Sequence, residues 1–246
     1  MAPPAGYRRV ALAPDSFADW LRHLPLKPRG SPVRLHDGRL KARQDVHAAV
    51  VDMDVGAKDL QQCADAVIRL RAEYLYSARR SGAIHFNFTS GKRIDFHRWA
   101  AGWRPRVAGN RVRWRRGGAV GTSYSSLRAY LEVVFIYAGS YSLAREMVPV
   151  ADLQDLAIGD VFLEGGFPGH AVTVVDLAAH PDSGRKVFLL AQSYMPAQEL
   201  HVLRNPSEPR LGPWYELGAG QVLTTPEWRF EWTALRRFTT ETVNSD

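Results

Sequence analysis

The sequence predicts one α+β domain, with its helices early and an antiparallel sheet late. Apolar residues recur at helical spacing in "KDLQQCADAVIRLRAEYLYSARR" and "SYSSLRAYLEVVFIYAG". Strand-like runs separated by turn residues fill "IGDVFLEGGFPGHAVTVVDLAAHPDSGRKVFLLAQSYMPAQELHVL". No repeat or compositional break divides the 246 residues, of which 46% are apolar, enough for a sizeable core. The expected layout is a linker or tail over 1–6, the domain over 7–238 and a tail over 239–246.

The elements follow in order. "YRRVAL" turns from tail into strand. "DSFADWLRHLPL" opens a helix, with Asp15 and Ser16 as caps and Phe17, Trp20 and Leu21 on one face. "PVRLHDGRLKA" reads as a hairpin around Asp37-Gly38, and "HAAVVDMDVG" as a buried strand. The clearest helix follows. Leu60, Cys63, Val67, Leu70 and Tyr74 form its apolar stripe, Asp59 is its expected cap, and Arg69 and Glu73 are spaced as an i, i+4 pair. "AIHFNFTSG" alternates like a strand, which leaves His85 exposed; the same argument leaves His201 of "LHVL" exposed. Residues 91–122 read as an extended, partly exposed excursion. A second, mostly buried helix and a short one stopped by Pro149 come next. Strands over 158–164, 170–177 and 186–193 then form a meander, with "HPDSG" as its second turn, and the aromatic-rich end closes the domain.

Charge narrows the partners. The formal net charge is +7, and lysine is scarce: Lys27, Lys41, Lys58, Lys92 and Lys186 leave 27 of the 32 basic residues as arginine. A basic surface favours polyanions such as acidic envelope polymers. Without paired zinc-ligand spacings or a basic region followed by heptads, no specific nucleic-acid site is expected. Residues 98–116 carry seven arginines and three tryptophans. Arg98, Trp99, Trp103, Arg104 and Trp114 are the candidate binding group for sugar or anionic polymer; a solvated loop anchored by its tryptophans is the competing reading. No apolar run reaches membrane-spanning length. The start, "MAPPAGYRRV", reads as a linker behind a removed export signal, so a periplasmic or exported location is expected, with the cytoplasm as alternative.

The single cysteine, Cys63, excludes an internal disulfide and a paired-cysteine zinc site. No metal or cofactor is expected. Cys63 is either a small core residue on its helix stripe or a thiol activated by a helix N-terminus, which lowers a thiol's pKa and can hold an oxyanion. "GGFPGH" brings His170 to the head of a strand, as a general base or as a polar group closing the strand. Reflecting the chain about "HPDSG" sets Gln192 opposite His170, where its amide oxygen can hold the imidazole tautomer. A nucleophile, a base and an orienting group in that order make a cysteine-hydrolase triad. Gln61 and Gln62 are the oxyanion candidates beside the helix N–H groups.

These motifs resemble known families. Cys63 on a helix, then "GHAVTVVD", then "KVFLLAQSY" is similar in order to papain-like cysteine peptidases, with Gln192-Ser193-Tyr194 standing where those have Asn-Ser-Trp. "IGDVFLEGGFPGHAVTVV" resembles the Gly-Asp…His strand pair of the NlpC/P60 branch, whose members cleave peptidoglycan stem peptides. Gln62 before the cysteine, no aromatic after it, and Gln as orienting residue depart from that pattern. "LQQCADAVIRLRAEYLY", "FNFTSG", "GDVFLEGGFPGHAV" and "FLLAQSYMPAQELHVL" resemble the bacterial family catalogued as domain of unknown function 4846, over roughly residues 7–238. That resemblance implies an exported protein and no particular activity. The papain-like one implies a papain-like or NlpC/P60-like core, its Cys63 helix packed on the late sheet. It implies an envelope amidase or peptidase using Cys63, His170 and Gln192, with peptidoglycan or another anionic polymer as partner. A non-catalytic envelope protein keeping the same fold is the alternative.

Overall fold

The computed structural model describes residues 1–239. The strands are β1 (Arg8–Arg9), β2 (His47–Val50), β3 (His85–Asn87), β4 (Arg93–Asp95), β5 (Trp103–Ala108), β6 (Arg111–Arg116), β7 (Val148–Pro149), β8 (Val161–Glu164), β9 (His170–Ala179), β10 (Lys186–Gln192), β11 (His201–Leu203), β12 (Tyr215–Glu216), β13 (Val222–Thr224), β14 (Arg229–Glu231) and β15 (Leu235–Arg237). The helices are α1 (Phe17–Arg22), α2 (Cys63–Ser77), α3 (Phe96–Ala100), α4 (Tyr124–Tyr137) and α5 (Ser140–Glu146). The chain is one α+β domain. Its main sheet runs β2-β11-β10-β9-β8-β15-β7, antiparallel throughout, with β1 added to β9 and β12 to β10. The sheet therefore draws edge strands from the early chain, which the late meander alone did not foretell.

β9 sits at the centre because its sequence, HAVTVVDLAA, is β-branched and apolar on both faces, and nine of its ten residues are buried. Alternation along β8 and β9 sorts the two sides. Val161, Leu163 and Ala171 pack with α2, α4 and α5. Phe162 and Val172 face the opposite way, where Phe162 meets Phe188, Phe230 and Trp232. One face is thus covered by helices, the other by the β13–β14 hairpin and its neighbours.

Several expectations are corrected locally. Helix α1 is capped by Ser16, whose Oγ accepts from the Asp19 N–H at 3.1 Å, as its sequence implies. Helix α2 begins at Cys63 with Gln62 as cap, not Asp59. The Asp65 carboxylate accepts from the Gln62 N–H at 3.0 Å, and Asp59 instead accepts from the Ala197 N–H at 2.6 Å. His201 is fully buried rather than exposed, because β11 lies between β10 and β2. The 91–122 excursion holds α3 and a regular β5–β6 hairpin. Residues 1–6 are tied down, the Trp214 indole N–H donating to the Ala2 carbonyl at 2.9 Å. Of the expected tail 239–246, all but Thr239 lies outside the described residues.

Candidate active site

The glycine loop answers to sterics. A Cβ on Gly169 would stand 2.3 Å from Ser140 Oγ and 2.6 Å from the Glu164 carbonyl; one on Gly165 would stand 2.5 Å from the Ala144 side chain. Glycine lets helix α5 and the end of β8 close on the start of β9, where Glu164 pairs with His170. The tip of the loop projects outward at Phe167, 84% exposed.

His170 is 1% exposed and boxed by aromatic rings: Tyr194 at 5.0 Å, Trp228 at 5.2 Å and Phe230 at 5.9 Å between centroids. Burial is the main cause that lowers its pKa to about 4, against the hydrogen bond to Gln192, so the imidazole is neutral at pH 7.

The hydrogen bonds around it have a fixed direction. Lys41 Nζ lies 2.6 Å from Glu227 Oε1 in a pair whose side chains are 8% and 10% exposed. A carboxylate held by an ammonium only accepts, so the Gln192 amide turns its N–H toward Glu227 Oε2, at 2.7 Å. Its oxygen Oε1 then faces His170 Nε2, at 2.8 Å. Nε2 must carry the proton, and Nδ1 keeps a lone pair. A chain of four buried side chains thus sets the tautomer that a general base needs.

Cys63 stands at the first position of α2 and is half-buried. Burial, the largest cause, pushes its pKa up to about 11, and the nearby Asp65 adds to this. The backbone N–H groups of Ala171 and Ala64 act in the opposite direction and favour the thiolate. The lowering expected from a helix N-terminus is present but loses to desolvation. Asp65, itself raised to about 8 by burial, holds its proton at pH 7.

Ala171, whose N–H favours the thiolate, is the residue after His170 on β9. Strand alternation turns the imidazole toward the Phe230 side, while α2 packs on the other side. Pairing of β9 with β10 ends at Thr173↔Ala191, short of this point. Among the described residues no hydrogen bond joins Cys63 to His170.

Gln61 and Gln62 are engaged elsewhere. Gln61 Oε1 accepts from Arg69 Nη1 at 2.7 Å, and Gln62 Nε2 donates to Asp59 Oδ1 at 3.3 Å. The candidate oxyanion donors are then the backbone N–H groups of the first turn of α2. Ser193 Oγ lies 3.0 Å from the Gln61 carbonyl and 2.6 Å from that of Gln198, tying the lead-in of α2 to the end of β10.

The aromatic and basic candidates stand apart from this centre and turn on one another. Trp99 is buried, with the Arg104 guanidinium 3.8 Å from its ring centroid. Arg98 lies 5.1 Å from the Trp103 ring and 5.0 Å from the Trp114 ring. Lys41, Glu227 and Trp228 were not singled out as site residues in the sequence. The scarcity of lysine and the turn-borne Glu-Trp of "TTPEWRF" were the signals available.

A cleft of about 760 Å³ opens beside the network, lined by Tyr194, Glu227, Trp228, Arg43, Arg204 and Arg229 among others. One of similar volume, about 750 Å³, lies between α1 and the end of α2 around Trp20 and Tyr74, away from His170. Among the described residues no cluster of three or more His, Cys, Asp or Glu could hold a metal ion, and no helix is long and apolar enough to cross a membrane.

Fold and site together span almost the whole described chain, and so does the family it matches, over residues 1–237. The chain belongs to the family described as domain of unknown function 4846. No curated protein and no solved structure matches it.

Proposed function

We propose that the protein is a cysteine hydrolase with papain-like chemistry, acting on an amide or peptide bond of a cell-envelope substrate such as a peptidoglycan stem peptide. The observation that carries this is the directed chain from Lys41 through Glu227 and Gln192 to His170, which leaves Nδ1 as acceptor one residue before Ala171, whose N–H favours the Cys63 thiolate. The Cys63 S–H passes its proton to His170 Nδ1 through a water at the head of β9, since the two side chains lie on opposite sides of the strand, as sulfur bonds to the substrate carbonyl carbon. The carbonyl electron pair moves to oxygen, stabilised by the N–H groups at the start of α2. Collapse breaks the C–N bond, and the amine leaves with the proton from His170. Water, deprotonated by the same nitrogen, then cleaves the thioester and frees the thiol. Gln192 orients the imidazole; Glu227 and Lys41 orient Gln192.

The resting pair in this reading is thiol and neutral imidazole, so proton transfer accompanies attack rather than preceding it. A second, non-catalytic reading is supported by the same pKa directions and by the absence of a Cys63–His170 hydrogen bond: the network is then a buried polar clamp. Mass spectrometry of the protein incubated with muropeptides decides between them. The hydrolase reading expects turnover that Cys63→Ala abolishes, and an acyl adduct on Cys63 after acid quench. Turnover that survives Cys63→Ala, or no turnover and no adduct on a panel of envelope amides, would overturn it.

A further inference from the structure

We infer that the outer face of the β5–β6 hairpin binds the backbone of a linear phosphodiester polymer, through Arg106, Arg111, Arg113 and Arg115. Cross-strand register decides which side chains share a face. Arg104 pairs with Arg115, Arg106 with Arg113 and Ala108 with Arg111, so these six lie on one side. Trp103, Pro105, Val107, Val112, Trp114 and Arg116 lie on the other, where Val107, Val112 and Trp114 pack on the core and Arg98 fills the space between the two indoles. Arg104 folds back onto Trp99 and donates to the carbonyls of Trp99, Trp103 and Ala119. The outward face is left to four arginines.

These four have nothing of opposite charge to hold them. Residues 96–131 contain no Asp or Glu. Among the described residues none of the four side chains makes an ion pair or hydrogen bond. Like charges directly opposite across a strand pair destabilise it, and here Arg106 faces Arg113. A hairpin face that keeps such opposed pairs, with no acidic residue from 96 to 131, has the form of a site awaiting an anion.

The shape selects the anion. Arg111, Arg113 and Arg115 stand on alternate positions of one strand, about 6.7 Å apart, close to one extended phosphodiester repeat. The guanidinium fork matches phosphate oxygens in pairs. The face is a stripe two strands wide, which fits a chain better than a plane. Its aromatic rings point inward, so neither base stacking nor insertion into a bilayer is provided for. Among the described residues Val120 is the large apolar side chain most exposed near the hairpin, too little for a membrane wedge. The polymer's backbone is read and its substituents are not.

The inference stands independently of the hydrolase reading, and Cys63→Ala should bind as the wild type does. The probes are an abasic deoxyribose-phosphate 12-mer, an oligodeoxythymidylate 12-mer, hyaluronate, and phosphatidylglycerol-containing vesicles, each titrated from 50 to 300 mM salt. The two oligomers should bind within about threefold of each other. The slope of log K against log salt should be about −2 to −3, from three to four phosphates at about −0.7 each. Arg106→Thr/Arg113→Thr should lose most of this binding and lower the slope by about one unit or more. The same double variant should melt at a higher temperature without ligand, because the opposed charges are gone. Absence of binding at 50 mM salt, base-dependent binding, equal binding of hyaluronate, tighter binding of vesicles, or an unaffected double variant would each overturn the inference.

Discussion

Removing the Glu227 carboxylate tests the network at its least replaceable point. Glu227→Gln leaves Lys41 buried and charged, and breaking a buried pair from one side costs about 3–5 kcal/mol. The Lys41 ammonium also lies 5.1 Å from the centre of the Tyr194 ring, a contact worth about 0.5–2 kcal/mol that survives the substitution. That contact is the same in both proteins and drops out of the difference, so the expected loss stays at about 3–5 kcal/mol. Lys41→Met alone strands the carboxylate, although the Gln192 N–H still reaches it, so a similar loss is expected. The double variant removes both charges together, and an apolar stem fills the Lys41 site. Its stability should lie within about 1 kcal/mol of wild type, because uncharged replacements of a buried pair are close to neutral.

Guanidinium unfolding at pH 7 measures all four proteins, with an unchanged m-value confirming a common denatured state. If Glu227→Gln loses less than about 1 kcal/mol, or the double variant loses the sum of the singles, Lys41 and Glu227 do not form the buried pair on which the chain of directed bonds depends. The second readout is the tautomer. Nitrogen-15 shifts of His170 should report the proton on Nε2 in wild type and a mixture in Glu227→Gln, since a glutamine at 227 can accept from or donate to Gln192. A wild-type imidazole protonated on Nδ1 would refute the reasoning outright.

Three further outcomes follow from the geometry. Gly169→Ala should lower stability by about 1–3 kcal/mol through overpacking against Ser140 and the Glu164 carbonyl, read as a fall in melting temperature; an unchanged melting temperature would mean β8 and α5 move apart freely. The rate of Cys63 alkylation by iodoacetamide should rise about tenfold per pH unit from 7 to 9, as befits a thiol pushed up to about 11, and a plateau below pH 6 would show a preformed thiolate instead. Stability should peak near pH 6.5. Neutral His170 and His201, lowered to about 4 and about 3, lose their contribution as pH falls below the ordinary histidine value; Asp65, raised to about 8, opposes folding increasingly as pH climbs toward 8. Guanidinium midpoints from pH 4 to 9 check this, and a monotonic profile would count against these environments.

What could be read in the sequence was local. The stripe from Leu60 to Tyr74 predicts α2 because helical periodicity needs only its own segment, and "HPDSG" predicts the β9–β10 hairpin for the same reason. The cap of α2 was misplaced because Asp59 and Gln62 both precede Cys63, and only the docking of Ala197 on Asp59 decides between them. Lys41 and Glu227 meet across 186 positions of sequence, and nothing in either segment points to the other. The basic stretch showed its charge but not its sides, since which arginines face outward depends on the register of β5 against β6.

The meeting of His170 and Gln192 was reached from the sequence by a route the structure does not follow. Simple reflection about the turn sets the two directly opposite. The actual pairs run Phe188↔Leu177 and Leu189↔Asp176, then shift at a bulge to Leu190↔Val174 and Ala191↔Thr173. Continuing the first register would place Ser193 on the imidazole's face and turn Gln192 toward α2, because a one-residue slip exchanges the faces of a strand. The bulge between Leu189 and Leu190 supplies that one residue. It brings Gln192 beside His170 on the diagonal and sends Ser193 to the lead-in of α2, where it lies between the carbonyls of Gln61 and Gln198. One irregularity thus assigns both residues, one to the imidazole and one to the helix that carries Cys63. The skipped residue is Val175 of β9, and deleting it should leave the partners in place, because the ladder then runs without a break from Leu189↔Asp176 to Leu190↔Val174. Such a variant should keep the His170 Nε2–H signal wherever the sheet still forms, and loss of that signal from a folded variant would show that register alone does not bring Gln192 to the imidazole.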